Sequence, residues 1–557
     1  MKISLKIEPR NEWKELEVEE GIKLETLVKQ FEDQVSYRVL AAKVNNKLED
    51  LVKTIKYPCT VEFLDMRNPA ANLIYQHSLT LIYLKAVHDT MRKVHVSMLN
   101  SLNKGIYTKI ESTIESANPV TDQQVVEIEQ RMRQIVAEDI PFVRKSVNRE
   151  EAFDMLVADG QKEKARLLEA DIGIEFVKFY SLEEYRDFFY GLMVPSTRYI
   201  EHFELRKYKG GFLLRFPHPS VPNVIPKYED EVKLYDAFRE ATKWSRIMGI
   251  SYVADLNEKI RNGQYKEMIQ LSEALHEKKT AEIADMITNQ DKRIVLIAGP
   301  SSSGKTTFAK RLCIQLKVNG HDPLYLSTDD YFVNRGFTPL DEYGEPDYEG
   351  LCAIDVKLFN DHMNALLQGE SVDLPTFDFL AGEKRFGDRK VAIDSTQPIV
   401  IEGIHALNEA MTPDLSKEEK FKIYISPFTQ LNIDDHNRIP VTDGRMLRRM
   451  VRDFQFRGHT AQSTIKLWPK VREGEYKNIF PYNGEADVFF NSAHIYELAV
   501  LKKYAWPLLN AIKQDEPEYS EAVRMLKFLR FFETIEDDSV IVNNSIMREF
   551  IGGSIFL

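Results

Sequence analysis

The sequence has few cysteines, no excess of basic residues and no long apolar run. Its three cysteines, Cys59, Cys313 and Cys352, lie far apart, so neither a disulfide framework nor a zinc site is expected. Acidic residues outnumber basic ones, 86 to 74, for a net charge of -12, which argues against a general binder of nucleic acids or membrane surfaces. No apolar run approaches the ~18–20 residues that span a bilayer, and the first residues carry no signal-peptide core. We therefore expect a cytoplasmic protein without a membrane partner.

The chain is too long for one hydrophobic core. Its 557 residues predict three or four units at roughly 100–200 residues per domain. A hydrophobic content of 43% and a charged content of 29% are typical of globular proteins. Four prolines between Phe216 and Pro226 mark the clearest boundary. We expect five segments, with the bounds 1–67, 68–220, 221–285, 286–500 and 501–557.

One stretch carries a complete nucleotide-binding pattern. Residues 294–298 are an unbroken apolar run, short enough for a buried parallel strand. Gly299 to Thr306 then fit the phosphate-loop pattern G-x-x-x-x-G-K-[S/T] at every fixed position, and Phe308 and Leu312 follow at helical spacing. In such a loop, backbone N–H groups and the helix N-terminus point at phosphate oxygens. The residues expected to bind ATP are Gly299, Pro300, Ser301, Ser302, Ser303, Gly304, Lys305, Thr306 and Thr307.

Side chains near this loop predict a magnesium–nucleotide site. Lys305 would reach the β- and γ-phosphates, and the Thr306 hydroxyl would hold Mg²⁺. Apolar strands end just before Asp329 and at Glu402, which places both carboxylates at the carboxyl edge of one sheet. Glu402 is thereby predicted as the second magnesium ligand. The alternation of apolar strands and helical segments over 286–500 predicts a doubly wound parallel α/β sheet.

These segments resemble the uridine kinase and phosphoribulokinase branch of the P-loop kinases. Its D-x-(F/Y)-(F/Y) segment matches residues 329–332, and its E-G strand end matches 402–403. Its P-x-Y-D-F stretch, which lines the nucleoside pocket, resembles residues 375–379, and its arginine-rich lid resembles 445–459. The resemblance implies that Asp329 takes the proton from the acceptor hydroxyl.

The resemblance also assigns the other site residues. Arginines at helical spacing share one face, so the group that begins with Arg445 and Arg448 can converge on phosphates. The catalytic residues implied are Lys305, Asp329, Arg449, Arg452 and Arg457. The acceptor-binding residues implied are Asp329, Tyr331, Glu349, Phe377, Phe379, Arg449 and Arg457.

Several positions depart from the uridine kinase pattern. Glu349 is the nearest candidate for the aspartate that grips the ribose, Phe377 replaces the pocket tyrosine, and Gly382 replaces the base-contacting histidine. The second lid arginine is His459. His405 resembles the E-G-x-H variant nearer to phosphoribulokinases, although a loop histidine without a role fits equally well. Because strong discrimination rests on hydrogen-bond readout, these losses leave the acceptor open.

The first 67 residues resemble the ubiquitin-like TGS domain. A β-β-α-β-β order is predicted, and Val44-Asn45-Asn46 and Glu62-Phe63-Leu64-Asp65 match its turn and closing strand. The resemblance implies a regulatory or RNA-contacting module with a β-grasp fold. A purely structural domain fits equally well, since this stretch carries no chemistry.

Residues 68–220 resemble the second additional domain of threonyl- and alanyl-tRNA synthetases. The stretches that carry this resemblance are 77–78, 125–132, 149–153 and 187–197. In the synthetases this α+β domain edits mischarged tRNA with H-x-x-x-H and C-x-x-x-H pairs. Here His77 is retained, but Leu81, Phe189 and Met193 occupy the other positions. Apolar side chains neither bind a hard metal nor transfer protons, so we expect no editing chemistry.

The remaining segments are predicted to be helical. Residues 221–285 have helical periodicity with alternating charge, which indicates a linker of two or three helices. Residues 501–557 form a helical extension whose apolar end contains Gly552 and Gly553. An apolar tail of this kind is not typical of a frayed terminus, so we expect it to dock near the active site.

Three hypotheses for function follow. The first is an ATP- and Mg²⁺-dependent nucleoside kinase that phosphorylates a 5′-hydroxyl, for example that of uridine. The second keeps the kinase chemistry but changes the acceptor to a sugar phosphate or another small alcohol. The third is a translation-linked RNA-binding or nucleotide-sensing protein, with RNA contact through the N-terminal half. The oligomeric state stays open, a homo-oligomer included.

Overall fold

The computed structural model describes most of the chain. The described residues are 1–7, 12–91, 94–112, 121–169, 173–341, 344–378, 380–429 and 431–556. Over these ranges, none of the helices combines the length and the apolar character needed to cross a membrane.

A five-stranded sheet in the order β2-β1-β5-β3-β4 begins the chain. Its elements are β1 (Lys2–Lys6), β2 (Trp13–Glu17), α1 (Leu24–Lys29), β3 (Val39–Val44), β4 (Lys47–Glu49) and β5 (Thr60–Asp65). Ile3 and Leu5 alternate with polar residues, and their side chains pack against Leu24 and Leu27 of α1. This is the β-grasp arrangement that the sequence predicts.

Two antiparallel sheets and a long buried helix make up the next region. Its elements are α2 (Pro69–Thr90), β6 (Val94–Leu102), β7 (Gly105–Ser112), α3 (Asp122–Ala137), β8 (Val143–Asn148), α4 (Arg149–Ala158), α5 (Lys162–Glu169), β9 (Phe176–Leu182), β10 (Tyr185–Phe188), β11 (Glu204–Tyr208) and β12 (Gly211–Arg215). The sheets have the orders β11-β12-β7-β6 and β10-β9-β8. Helix α2 is buried over most of its length. The region is α+β, as the sequence predicts.

Three helices connect this region to a parallel sheet. They are α6 (Val232–Met248), α7 (Val253–Arg261) and α8 (Tyr265–Asn289). Ile283 and Ile287 of α8 pack in one core with Phe308 and Leu312 of the helix that follows the first parallel strand. The linker helices therefore form part of the wall of the sheet.

The parallel sheet has the order β14-β19-β13-β20-β21. The elements from here to the end are β13 (Ile294–Ala298), α9 (Lys305–Val318), β14 (Leu324–Ser327), α10 (Val356–Leu367), β15 (Val372–Asp373), β16 (Thr376–Asp378), β17 (Glu383–Arg385), β18 (Lys390–Val391), β19 (Ile399–Glu402), β20 (Lys420–Ser426), α11 (Val441–Arg457), α12 (Ala461–Asn478), β21 (Val488–Asn491), α13 (Glu497–Asn510), α14 (Tyr519–Leu529) and α15 (Arg548–Ile551). Ile294 and Leu296 of the central strand face one core, whereas Val295 and Ile297 face another. Helices thus cover both faces of the sheet, which confirms the predicted doubly wound fold.

The two halves of the chain meet in a cluster of buried charges. Lys164 of α5 contacts the carboxylate of Asp187 of β10, and His436, from the loop before α11, lies 2.5 Å from the same carboxylate. The carboxylate of Asp434 lies 3.8 Å from Lys164. The loop that leads into α11 is therefore fixed by the synthetase-like region.

Candidate active site

The residues between β13 and α9 form a tight loop. Gly304, which precedes α9, has φ +86°, a conformation that side chains disfavour. At Gly299 a Cβ atom would come within 2.0 Å of the carbonyl oxygen of Ile425, so β20 approaches the loop only because that residue is glycine. The predicted ATP-binding residues 299–307 therefore lie together at a helix N-terminus, where free backbone N–H groups bind anions.

Lys305 closes this loop on itself. Its ammonium group donates hydrogen bonds to the carbonyl oxygens of Gly299 at 3.0 Å and Pro300 at 3.3 Å. Burial lowers the pKa of Lys305, while the nearby carboxylates of Glu402 and Asp329 oppose that change. The side chain is thus held over the loop, where its charge can meet a phosphate.

Glu402 lies at the end of β19 and faces the loop. Its Oε1 accepts hydrogen bonds from the hydroxyls of Thr306 at 3.2 Å, Ser327 at 3.2 Å and Tyr325 at 3.3 Å. Burial, and secondly the charge of Asp329, raise the pKa of Glu402 to about 7.

The oxygens of Thr306 and Glu402 fit a magnesium ion. Both are the hard donors that Mg²⁺ prefers, and Mg²⁺ in kinases is held by one or two side chains together with substrate phosphates and waters. In the described part of the chain, no cluster of three histidine, cysteine or acidic side chains could hold a metal by itself. The donor set therefore suits an ion that arrives with a nucleotide.

Of the two adjacent aspartates after β14, Asp330 is bound by neighbouring residues and Asp329 is not. Ser327 of β14 lies in register with Glu402, so the next residues reach the same sheet edge. Asp330 accepts hydrogen bonds from the Arg389 guanidinium at 2.7 Å and from the backbone N–H of Phe377 at 3.4 Å. Asp329 instead is exposed, and its carboxylate has no hydrogen-bond partner among the described residues. The surrounding protein partly desolvates this carboxylate and raises its pKa, while the charge of Lys305 opposes the rise.

The predicted lid arginines gather around one buried carboxylate. Asp453 lies within 3.2 Å of Arg449 and 3.0 Å of Arg452, and Arg457 lies 3.5 Å away. Arg449 also donates to the Ser301 hydroxyl of the phosphate loop at 2.8 Å. The end of α11 thus holds three guanidinium groups beside the loop.

Arg445 and Arg448, at the start of the same run, have a different role from the one predicted. Both side chains are buried, and they pair with Glu475 and Glu497. Their guanidinium groups donate to carbonyl oxygens of the loop, with Arg445 Nε 3.0 Å from that of Ser301. Because both arginines are committed to internal carboxylates and carbonyls, they hold the loop in shape.

On the acceptor side, Tyr331 departs from the prediction. Its side chain is only 1% exposed, packs edge-on against Phe359, and has its hydroxyl 3.2 Å from His362 Nδ1. The ring gains more by apolar burial than by facing the cleft, so it is unavailable to a substrate here. Phe379 lies outside the described residues.

Glu349 and Phe377 line the acceptor side of the cleft. Glu349 packs against Gly474 of α12. Burial raises its pKa, while the nearby charges of Arg449 and Lys305 lower it. The ring of Phe377 lies 5.7 Å from that of Phe332. Both residues are placed where an acceptor could reach them.

In the described part of the synthetase-like region, His77 has aromatic and apolar neighbours. The His77 ring lies between Phe189 and Tyr190, with centroid distances of 5.9 and 5.8 Å. Burial lowers the pKa of His77 to about 4, so the ring is neutral at physiological pH. Leu81 and Met193 are buried in the same core.

Two carboxylates that support the site were not singled out from the sequence. Glu475 of α12 accepts a hydrogen bond from the backbone N–H of Ser301 at 3.2 Å, and no local pattern identifies it. Asp453 could have been found, since it directly follows Arg452 in the lid pattern.

The C-terminal half of the chain has matches among known proteins. The sequence model of the phosphoribulokinase/uridine kinase family matches residues 294–499. A uridine kinase from Bacillus pumilus is 30% identical over 178 residues, which cover 32% of this chain and 75% of that protein. The D-glycerate 3-kinase structure from Cryptococcus neoformans is 13% identical with a TM-score of 0.22, and the match covers 45% of this chain and 87% of that one.

The N-terminal region matches a second group of proteins. A threonine–tRNA ligase from Listeria welshimeri is 30% identical over 196 residues, which cover 35% of this chain. This chain spans 30% of the ligase's length. The region 294–499, which holds the phosphate loop, both strand-end acids and the lid arginines, matches the kinases instead. Because the chain covers 75% of a uridine kinase that is 30% identical to it, the chain belongs to the phosphoribulokinase/uridine kinase family.

Proposed function

We propose that this protein is an ATP-dependent kinase that transfers the γ-phosphoryl group to the 5′-hydroxyl of a nucleoside. The observation that carries the proposal is the contact of Glu402 with the Thr306 hydroxyl at 3.2 Å, with Asp329 free at the neighbouring strand end. This arrangement supports the proposal, because the carboxylate proposed as base and the two oxygens proposed to bind magnesium lie at the same sheet edge as the phosphate loop.

In this mechanism Asp329 accepts the proton of the acceptor hydroxyl. The hydroxyl oxygen then bonds to the γ-phosphorus of ATP, the bond to the bridging oxygen breaks, and ADP leaves. Lys305 and the lid arginines neutralise charge that develops on the transferred group. Magnesium held at Thr306 and Glu402 would shield the phosphate charges.

The nucleoside acceptor is supported by the relatives and by the cleft. Proteins 29% and 30% identical over this region are uridine kinases. The half-buried ring of Phe377 offers an aromatic face on which a base can stack. A 5′-hydroxyl is a primary alcohol, which reaches a base such as Asp329 with little crowding.

The test is ADP release with a panel of acceptors. Uridine, cytidine, adenosine and guanosine are compared with 5′-deoxyuridine, which keeps the base and lacks the accepting hydroxyl. We expect one or more nucleosides to stimulate ADP release, 5′-deoxyuridine to give none, and Lys305→Ala to abolish the signal. A panel in which no nucleoside exceeds basal ATP hydrolysis would falsify the nucleoside assignment.

A second candidate keeps the chemistry and changes the acceptor. Phe377 lacks the hydroxyl of the family's pocket tyrosine, and Gly382 lacks any side chain, so base readout by hydrogen bonds is weakened. A sugar phosphate or another small alcohol would then be the acceptor. Adding sugar phosphates to the same panel separates the two.

RNA contact by the N-terminal half is a separate proposal, supported by the match to threonine–tRNA ligase. Salt-dependent binding of tRNA to the full chain would favour it.

A further inference from the structure

The C-terminal segment of the chain is docked on the phosphate loop. Residues 545–551 are almost wholly buried, and Ile546 and Phe550 belong to one core with Phe308 of α9 and Ile297 of β13. Because this core lies directly under the loop, the segment is part of the wall of the candidate active site.

The contact with the loop is direct. A Cβ atom at Gly304 would come within 2.6 Å of Ile546 Cγ2, so the isoleucine lies on the last glycine of the loop. The guanidinium of Arg448, in helix α11, lies over the Phe550 ring at 4.9 Å from the ring centroid. The segment is therefore held between the loop and helix α11.

One turn after Ile546, a carboxylate reaches the first turn of α9. Glu549 Oε2 lies 2.8 Å from the hydroxyl oxygen of Thr307 and 3.4 Å from its backbone nitrogen. The Thr307 N–H is one of the free donors at this helix N-terminus, and loops of this type use such donors to cradle the α- and β-phosphates. The carboxylate thus engages donors that a bound nucleotide needs.

Glu549 brings negative charge to the helix end where a nucleotide would also bring it. Its side chain is 7% exposed, and its negative charge acts on both Lys305 and Glu402. A nucleotide brings several further negative charges to the same helix end. Carboxylate and phosphate therefore compete for one site.

We propose that Glu549 is a tethered competitor of the nucleotide, a carboxylate that holds the Thr307 donors at rest and sets nucleotide affinity. The proposal rests on the proposed function, since it presumes that ATP binds this loop. The moving part is the Glu549 side chain. Ile546 and Phe550 anchor the backbone in the core, whereas the carboxylate has only its contact with Thr307 among the described residues.

The test measures binding of Mg-ADP to the full chain by isothermal titration calorimetry. Glu549→Gln removes the charge and keeps the size, whereas Glu549→Asp keeps the charge and shortens the side chain by one methylene. We expect both variants to bind Mg-ADP about tenfold more tightly. Asp537→Asn, at an exposed acid of the same C-terminal region, serves as the control and should leave affinity unchanged.

The two variants separate contact from charge. A gain in Glu549→Gln alone, with Glu549→Asp like the parent protein, would mean a general field effect and overturn the proposal. Weaker binding in either folded variant would make Glu549 part of the nucleotide site, with the same consequence. If Glu549→Gln fails to fold, Glu549→Asp alone decides, because it keeps the charge and loses only the contact. If Glu549→Asp fails to fold, a Glu549→Gln protein that binds Mg-ADP no more tightly than the parent overturns the proposal.

Failure of this inference is distinct from failure of the proposed function. Parent protein and variants that bind Mg-ADP equally and turn over ATP would refute the competitor role alone. Absence of nucleotide binding in all folded forms would refute the kinase proposal, and this inference with it.

Discussion

At the scale of single residues, the site depends on which of two adjacent carboxylates is free. Asp330 is held by Arg389, whereas Asp329 faces the cleft near Lys305. The Asp330 oxygens already accept hydrogen bonds from Arg389 and from the backbone N–H of Phe377, so they are less available to an acceptor hydroxyl. Asp329 is therefore the carboxylate that we propose as general base.

Substitution of this pair gives the first prediction. Asp329→Asn should lower kcat by about 10²–10⁴, because an amide cannot take the acceptor proton. Asp330→Asn is the matched control and should lower the thermal unfolding midpoint through loss of the Arg389 pair, with a far smaller effect on kcat. Steady-state ADP release with the best acceptor measures both. An Asp329→Asn enzyme with parental kcat would transfer the role to Asp330.

The same residues show what a sequence can predict about a site. Lys305 and Thr306 belong to one local pattern, and Glu402 ends a strand whose register follows from its apolar run. Tyr331 was predicted to bind the acceptor but is buried, because the family pattern does not reveal that α10 packs on its ring. Burial of a side chain depends on partners far along the chain, and spacing does not reveal them.

At the scale of elements, the arginines of helix α11 have two different roles. Its first arginines, Arg445 and Arg448, are buried and brace the loop, and its last turns present Arg449, Arg452 and Arg457 around Asp453. Helical spacing predicts one arginine face. It does not predict that α12 and α13 supply glutamates that neutralise the first half of that face.

The carboxylate of Asp453 gives the second prediction. Asp453→Asn leaves three guanidinium groups without their shared counter-charge, so they repel one another and lose their common orientation. We expect kcat to fall about tenfold in the ADP-release assay, with a lower thermal unfolding midpoint.

Asp443 of the same helix offers a matched control. It is also buried and paired with an arginine, Arg524, at 2.7 Å, but it lies on the side of α14. Asp443→Asn should lower the unfolding midpoint by a similar amount while kcat stays near that of the parent protein. If Asp453→Asn and Asp443→Asn lower kcat equally, Asp453 contributes only to stability.

At the scale of the whole molecule, the two halves share buried charges. The Lys164–Asp187 contact and His436 join α5 and β10 to the loop that enters the lid helix. Each half resembles its own group of relatives, so the sequence predicts the halves one at a time. Their junction pairs residues about 250 positions apart, and no local pattern contains that information.

Histidines with a lowered pKa occur in both halves of the molecule. Among the described residues, burial lowers the pKa of six histidines, namely His77, His218, His276, His362, His405 and His494. For His405, which is 1% exposed, the folded-state pKa is about 4 against an ordinary value of 6.5. The unfolded chain therefore binds protons first as the pH falls, so stability is lost between pH 6.5 and 4.

The size and sign of this effect give the last prediction. Between pH 8 and pH 5 a group such as His405 costs about 2 kcal/mol of folding free energy. Two other groups stabilise the folded chain as the pH falls. They are Glu402, whose pKa is raised to about 7, and His95, whose pKa is raised by Asp435. The six histidines lower the stability as the pH falls, so we expect the thermal unfolding midpoint to fall by at least about 5 °C from pH 8 to pH 5. Glu402→Gln removes one opposing contribution and should steepen the fall. A midpoint that is level from pH 8 to pH 5 would contradict the prediction, because it would mean that the folded and the unfolded chain take up equal numbers of protons.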